Sequence, residues 1–71
     1  MDDKMRFQII SGPLDEEWLV AELFYGEEMW GELIEGGETL ILYPRQNGEP
    51  WHFSSKDMMA IIVQAQARVR T

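Results

Sequence analysis

Chain-breaking residues recur at nearly even intervals through the first fifty positions: Ser11-Gly12-Pro13, Gly26, Gly36-Gly37, and Gln46 to Pro50 with Asn47-Gly48 at its centre. The runs between them are short, and they alternate apolar with polar residues or are rich in β-branched and aromatic side chains. That is the punctuation of an antiparallel meander. Strands are expected over 6–11, 18–25, 28–35 and 38–43, with a short fifth over 50–53.

Two turns carry register information. Gly26-Glu27 suits a two-residue type II′ turn, because glycine at the first central position accepts positive φ, and Gly36-Gly37 suits I′ or II′ for the same reason. Unbroken pairing from these turns sets Phe24 opposite Met29, Leu23 opposite Trp30, Leu33 opposite Leu40 and Glu32 opposite Ile41. Asn47-Gly48 is expected to close a third hairpin that returns Trp51 towards the fourth strand.

The end of the chain reads differently. Ser54 followed by Asp57 has the form of a capping box with Asp in place of Glu, and no Gly or Pro occurs from 55 to 70. A C-terminal helix is expected over 55–70. At about 100° per residue, Met58, Ile61, Ile62, Ala65 and Val69 form one apolar stripe. Met59, Val63 and Ala67 fall outside it and are candidates for an oligomer contact. The expected fold is α+β: an antiparallel β-meander of four to five strands with one C-terminal helix packed on one face, in a single domain over 1–71.

The same register gives two greasy faces. Val20, Glu22, Phe24, Met29, Gly31, Leu33, Leu40 and Leu42 would share one side; Leu19, Ala21, Leu23, Tyr25, Trp30, Glu32, Ile34, Ile41 and Tyr43 the other. One helix covers one face, and an uncovered face this apolar calls for a partner. The face holding Val20, Phe24, Leu33 and Leu40 is expected beneath the helix, since Glu22 is its only mid-strand acid. The candidate partner-binding set is then Tyr25, Glu28, Trp30, Glu32, Ile41 and Tyr43, aromatic anchors inside an acidic rim.

Charge narrows the partner. Thirteen acids oppose six bases for a net −7, and residues 7–44 hold nine acids and no Lys or Arg. Such a chain repels phosphate backbones and anionic lipid and attracts basic proteins, so neither direct nucleic-acid binding nor membrane association is expected. At 71 residues only about 60% of the unfolded surface is buried on folding. Cysteine is absent, so no disulfide or thiolate metal site supplements the core, and association is the supplement left, with a homodimer the simplest form. The charged N-terminus and the absence of Cys give a cytoplasmic expectation.

The residues of catalysis are sparse. His52 is the one histidine, so paired-imidazole metal sites are excluded and any Ser-His-acid triad would depend on it alone. Flanked by Trp51 and Phe53, it is expected to point to solvent. Glu28, Glu32 and Glu35 would form a carboxylate box only on a helix, which Gly26, Gly31, Gly36 and Gly37 oppose. On a strand, Glu28 and Glu32 stand about 13 Å apart. No phosphate-binding glycine motif occurs. No enzyme activity, cofactor or metal is expected.

The segments "WGEL", "LYPR" and "GEPWHF", followed by the capped helix, resemble short bacterial proteins of strands-then-helix layout, some similar to immunity proteins of toxin systems. The resemblance spans 6–70 and implies a bacterial accessory or inhibitor protein. A small acidic module that occupies a basic protein as inhibitor or immunity-type partner is the leading expectation. A self-associating structural subunit is the second, and a nucleic-acid mimic that inhibits a host defence nuclease complex is the third.

Overall fold

A computed structural model describes residues 3–11 and 19–70. Trp18, placed at the head of the second strand, the acids Asp15 to Glu17 and the break at Gly12-Pro13 lie outside the described residues. Four strands follow in order, β1 (Met5–Ser11), β2 (Leu19–Tyr25), β3 (Glu28–Ile34) and β4 (Thr39–Leu42), and then the helix α1 (Ser55–Val69). They form one antiparallel sheet of order β1-β2-β3-β4 with α1 packed on one side. This is the α+β meander with a single helical lid.

The turns form where glycine permits them. Gly26 takes φ 63° between Tyr25 and Glu28, which pair across the hairpin. In the β3–β4 turn, Gly36 (φ 67°, ψ 22°) and Gly37 (φ 89°) are both left-handed, and Glu38 N–H donates to the Glu35 carbonyl at 3.2 Å. Glu35 before them is left-handed too (φ 55°), so the loop runs over 35–38 and the ladder resumes at the Ile34–Thr39 pair. Leu33 pairs with Leu40 and Glu32 with Ile41, as the turn dictates.

The β2–β3 register departs from the expected one, and the departure decides which side chains are buried. Phe24 pairs with Met29, but Leu23 pairs with Gly31, leaving Trp30 without an opposite residue. Trp30 is the extra residue of a β-bulge. Because side chains alternate with period two, one inserted residue moves everything after it to the other face. Trp30 and Leu33 differ in parity, so a regular strand would bury one and expose the other. With the bulge, both are 1% exposed in the core beneath the helix.

The bulge also sorts the charges. On the helix side stand Met5, Phe7 and Ile9 of β1, Leu19, Ala21 and Leu23 of β2, Trp30 and Leu33 of β3, and Leu40 of β4, all apolar, while Tyr25 and Glu28, paired at the end of the β2–β3 hairpin, bring ionisable groups to that side only at its margin. Val20 and Phe24, expected beneath the helix, lie on the open side with Glu22, while Leu33 and Leu40 do lie beneath it. Without the inserted residue each face would carry a mid-strand glutamate. With it, Glu22 and Glu32 become direct cross-strand neighbours on the open face.

The fifth strand does not form. Residues 50–53 form no regular element and pair with no described strand, because Pro44 and Pro50 lack the N–H groups a ladder needs where the third hairpin would zip. Asn47-Gly48 still turns the chain, with Gly48 at φ 79° and its N–H donating to the Arg45 carbonyl. The returning segment packs by side chains. Trp51 Nε1 donates to the Tyr43 carbonyl at 2.9 Å, and the Phe53 ring lies 5.0 Å from Trp30 and 5.4 Å from Tyr25. His52 between them is exposed, as expected.

Ser54 caps the helix, its hydroxyl accepting from Asp57 N–H at 3.3 Å. Ile61, Ala65 and Val69 are buried and Met58 and Ile62 half-buried, so the expected stripe faces the core. The far end of α1 holds the β3–β4 turn. Gln66 Nε2 donates to the Gly37 carbonyl and Arg70 Nε to that of Gly36. Gly37 sits so close that a Cβ there would lie 3.2 Å from Val69 Cγ2.

Candidate docking face

The open side of the sheet is built from residues whose register places them away from α1: Arg6, Gln8 and Ile10; Val20, Glu22 and Phe24; Met29, Glu32 and Ile34; Ile41 and Tyr43. Ile10, Phe24, Met29, Ile34 and Ile41 are half-buried, and Val20 is 7% exposed among its neighbours. No element among the described residues covers this face.

A polar row crosses its middle. Gln8 pairs with Glu22, Glu22 with Glu32 and Glu32 with Ile41. Like charges directly opposed across strands destabilise a sheet, yet here two glutamates are set side by side in an apolar field. Each receives one neutral donor: Gln8 Nε2 reaches Glu22 Oε1 at 2.7 Å, and the Tyr43 hydroxyl donates to Glu32 Oε1. That hydrogen bond, then burial, then the charges of Glu32 and Glu22, raise the Tyr43 phenol above its ordinary pKa.

Neither carboxylate forms an ion pair with a described residue. Arg45–Glu28 at 4.0 Å and Arg70–Glu38 at 3.7 Å pair elsewhere. Arg6 lies at one end of the open face, but its guanidinium stacks over the Phe24 ring at 4.2 Å and donates to the Gly26 carbonyl at 3.2 Å.

The six partner-binding residues expected from the sequence divide evenly. Glu32, Ile41 and Tyr43 lie together on the open face. Tyr25, Glu28 and Trp30 do not, because they precede or form the bulge. Trp30 is a core residue, Tyr25 packs against Trp51 and Phe53, and Glu28 accepts from Gln46 N–H at 2.7 Å beside Arg45. A side chain as enclosed as Trp30 cannot anchor a partner. Missing from the expected set were Glu22, Phe24 and Met29, which the bulge brings alongside Glu32. Its sequence signal was Gly31, since a glycine inside a strand marks a bulge or a close backbone approach. A Cβ at Gly31 would lie 2.7 Å from the Ile41 carbonyl oxygen.

On the helix, Met59 (67% exposed), Val63 (64%) and Ala67 face solvent, as their position off the stripe implied. No three metal-ligating side chains converge among the described residues, and none of their helices is long and apolar enough to cross a membrane. Comparison with known proteins returned no matching family model, curated protein or solved structure.

Proposed function

We propose that this protein is a protein-binding module whose open sheet face docks a basic surface of another protein, occupying it as an inhibitor or immunity-type partner does. The observation that carries this reading is the Glu22–Glu32 pair: two opposed carboxylates, each with a neutral hydrogen-bond donor and no cation, ringed by Phe24, Met29, Ile34 and Ile41. A local rule broken at a cost, with no cation among the described residues to offset it, is what a functional surface looks like. An Arg or Lys from the partner would supply the missing cation, and the apolar ring would exclude water around it and strengthen the contact.

This arrangement favours a basic protein over mimicry of nucleic acid. A phosphate mimic needs spaced carboxylates on a polar surface, whereas here two acids sit together among aliphatic and aromatic side chains. The absence of cysteine and the acidic surface accord with action inside the cytoplasm.

The test compares the native chain with Glu22→Lys/Glu32→Lys and with a control, Glu49→Lys, as baits in the source-cell extract. The expected result is a basic protein held by the native chain and the control and released by the double variant. Its association should slow steeply with added salt. Equal retention by all three baits, or salt-independent association, overturns the reading.

A further inference from the structure

The edge of the sheet at β4 has a different character from its face. Among the described residues, β4 has β3 on one side and no strand on the other. Tyr43 N–H donates to the Trp30 carbonyl at 2.9 Å, so positions 43, 41 and 39 turn their backbone groups towards β3. By the alternation of an antiparallel ladder, the N–H and C=O of Leu40 and Leu42 point outwards. Natural edges are guarded by Lys, Pro, bulges or inward-facing charges. Thr39–Leu42 reads Thr-Leu-Ile-Leu and has none of these within it.

The exposed grease of the molecule gathers on this same flank. Among the described residues, the large apolar side chains most open to solvent are Leu42 (61%), Met59 and Val63. Leu42 is on β4 itself, with its side chain on the helix side of the sheet. Met59 and Val63 stand two turns before Gln66 and Arg70 on α1, and those two residues reach over to the β3–β4 turn, while Arg68 lies over Phe7 of β1. The flank of α1 that carries Met59 and Val63 is therefore the one facing β4. Between Leu42 and the start of the helix an apolar hollow of about 260 Å³ opens, floored by Trp30, Trp51, Phe53 and Met58.

We infer that β4 is the seam of a homodimer, in which a second copy pairs antiparallel along the free edge and continues the sheet to eight strands. The segment is self-complementary about Ile41. A two-fold axis there sets Leu40 opposite the second copy's Leu42 and the reverse, using all four outward backbone groups on each strand. It sets Ile41 against its own copy as a non-hydrogen-bonded pair. Glu38 falls opposite the second copy's Pro44, one residue from its Arg45, so acid meets base at both ends of the seam. Beneath the sheet, Leu42, Met59 and Val63 of each copy approach the axis and cover one another. The open faces of the two copies, with Glu22 and Glu32, remain free.

Four variants test this, read by mass in solution across a concentration series, with far-ultraviolet circular dichroism confirming the fold. The native chain should show twice the chain mass. Leu42→Pro removes an N–H that the monomer does not use, and should halve the mass. Leu42→Lys sets like charges across the seam and should do the same, which covers the case in which the proline variant does not fold. Ile41→Cys, the sole thiol in the chain, should give a disulfide-linked dimer on mild oxidation, and Gln8→Cys should not. A chain that stays monomeric throughout overturns the proposal. So does a dimer that survives both Leu42 variants or that Ile41→Cys fails to cross-link.

Discussion

Trp30 shows how one side chain can define a small core. It is 1% exposed, with Leu23 and Leu33 as its fully buried companions, and Phe53 of the connecting segment packs on it and in turn on Tyr25 of β2. Trp30→Ala should cost about 3–5 kcal/mol in urea unfolding, the range for truncating a buried aromatic, and so unfold much of the population of a domain this small. Tyr43 gives a pH signature. Its folded pKa is raised by the hydrogen bond to Glu32, so the stabilisation is fully present below the unfolded phenol value of about 10 and is lost as pH rises through the folded value. A melting series from neutral to strongly alkaline pH should show that loss, and Tyr43→Phe should flatten it. Glu32→Gln removes both the charged acceptor and the repulsion with Glu22, so neutral-pH stability should change little while partner binding is lost.

At the scale of elements, the glycines and the cap are the points of control. Gly31→Ala forces a Cβ to within 2.7 Å of the Ile41 carbonyl oxygen. Backbone cannot yield as a flexible side chain does, so a loss of about 1–3 kcal/mol in denaturant unfolding is expected, the range for overpacking. Ser54→Ala should cost about 0.5–2 kcal/mol, as lost N-caps do. The parts of the fold that were legible in the sequence are those fixed by local chemistry: Gly26 and Gly36-Gly37 by their φ angles, α1 by its cap and stripe, and the β3–β4 register by its turn. The bulge was not legible by turn-counting, because its driving force is the burial of Trp30 and Leu33 on one side, a property of the packed sheet. That single residue explains why Tyr25, Glu28 and Trp30 were assigned to the wrong face while Glu32, Ile41 and Tyr43 were assigned to the right one. The unformed strand at 50–53 was readable in Pro44 and Pro50.

For the molecule as a whole, size and charge set the terms. A 71-residue chain of net −7 without disulfides has little stability in reserve, and association that binds the folded state adds to it by mass action. The thermal midpoint of the native chain should therefore climb with protein concentration and that of Leu42→Lys should not, measured by calorimetry. A flat response in the native chain would argue against a stabilising dimer at its working concentrations.

The order of the elements has a consequence for refolding. All four strands precede α1 along the chain, and the buried side of the sheet is completed only when residues 55–69 fold back over it. Until they do, Leu23, Trp30 and Leu33 lack their lid, and transiently exposed apolar surface of that kind draws one partly folded copy to another. The yield of refolding by dilution from denaturant should therefore fall as chain concentration rises.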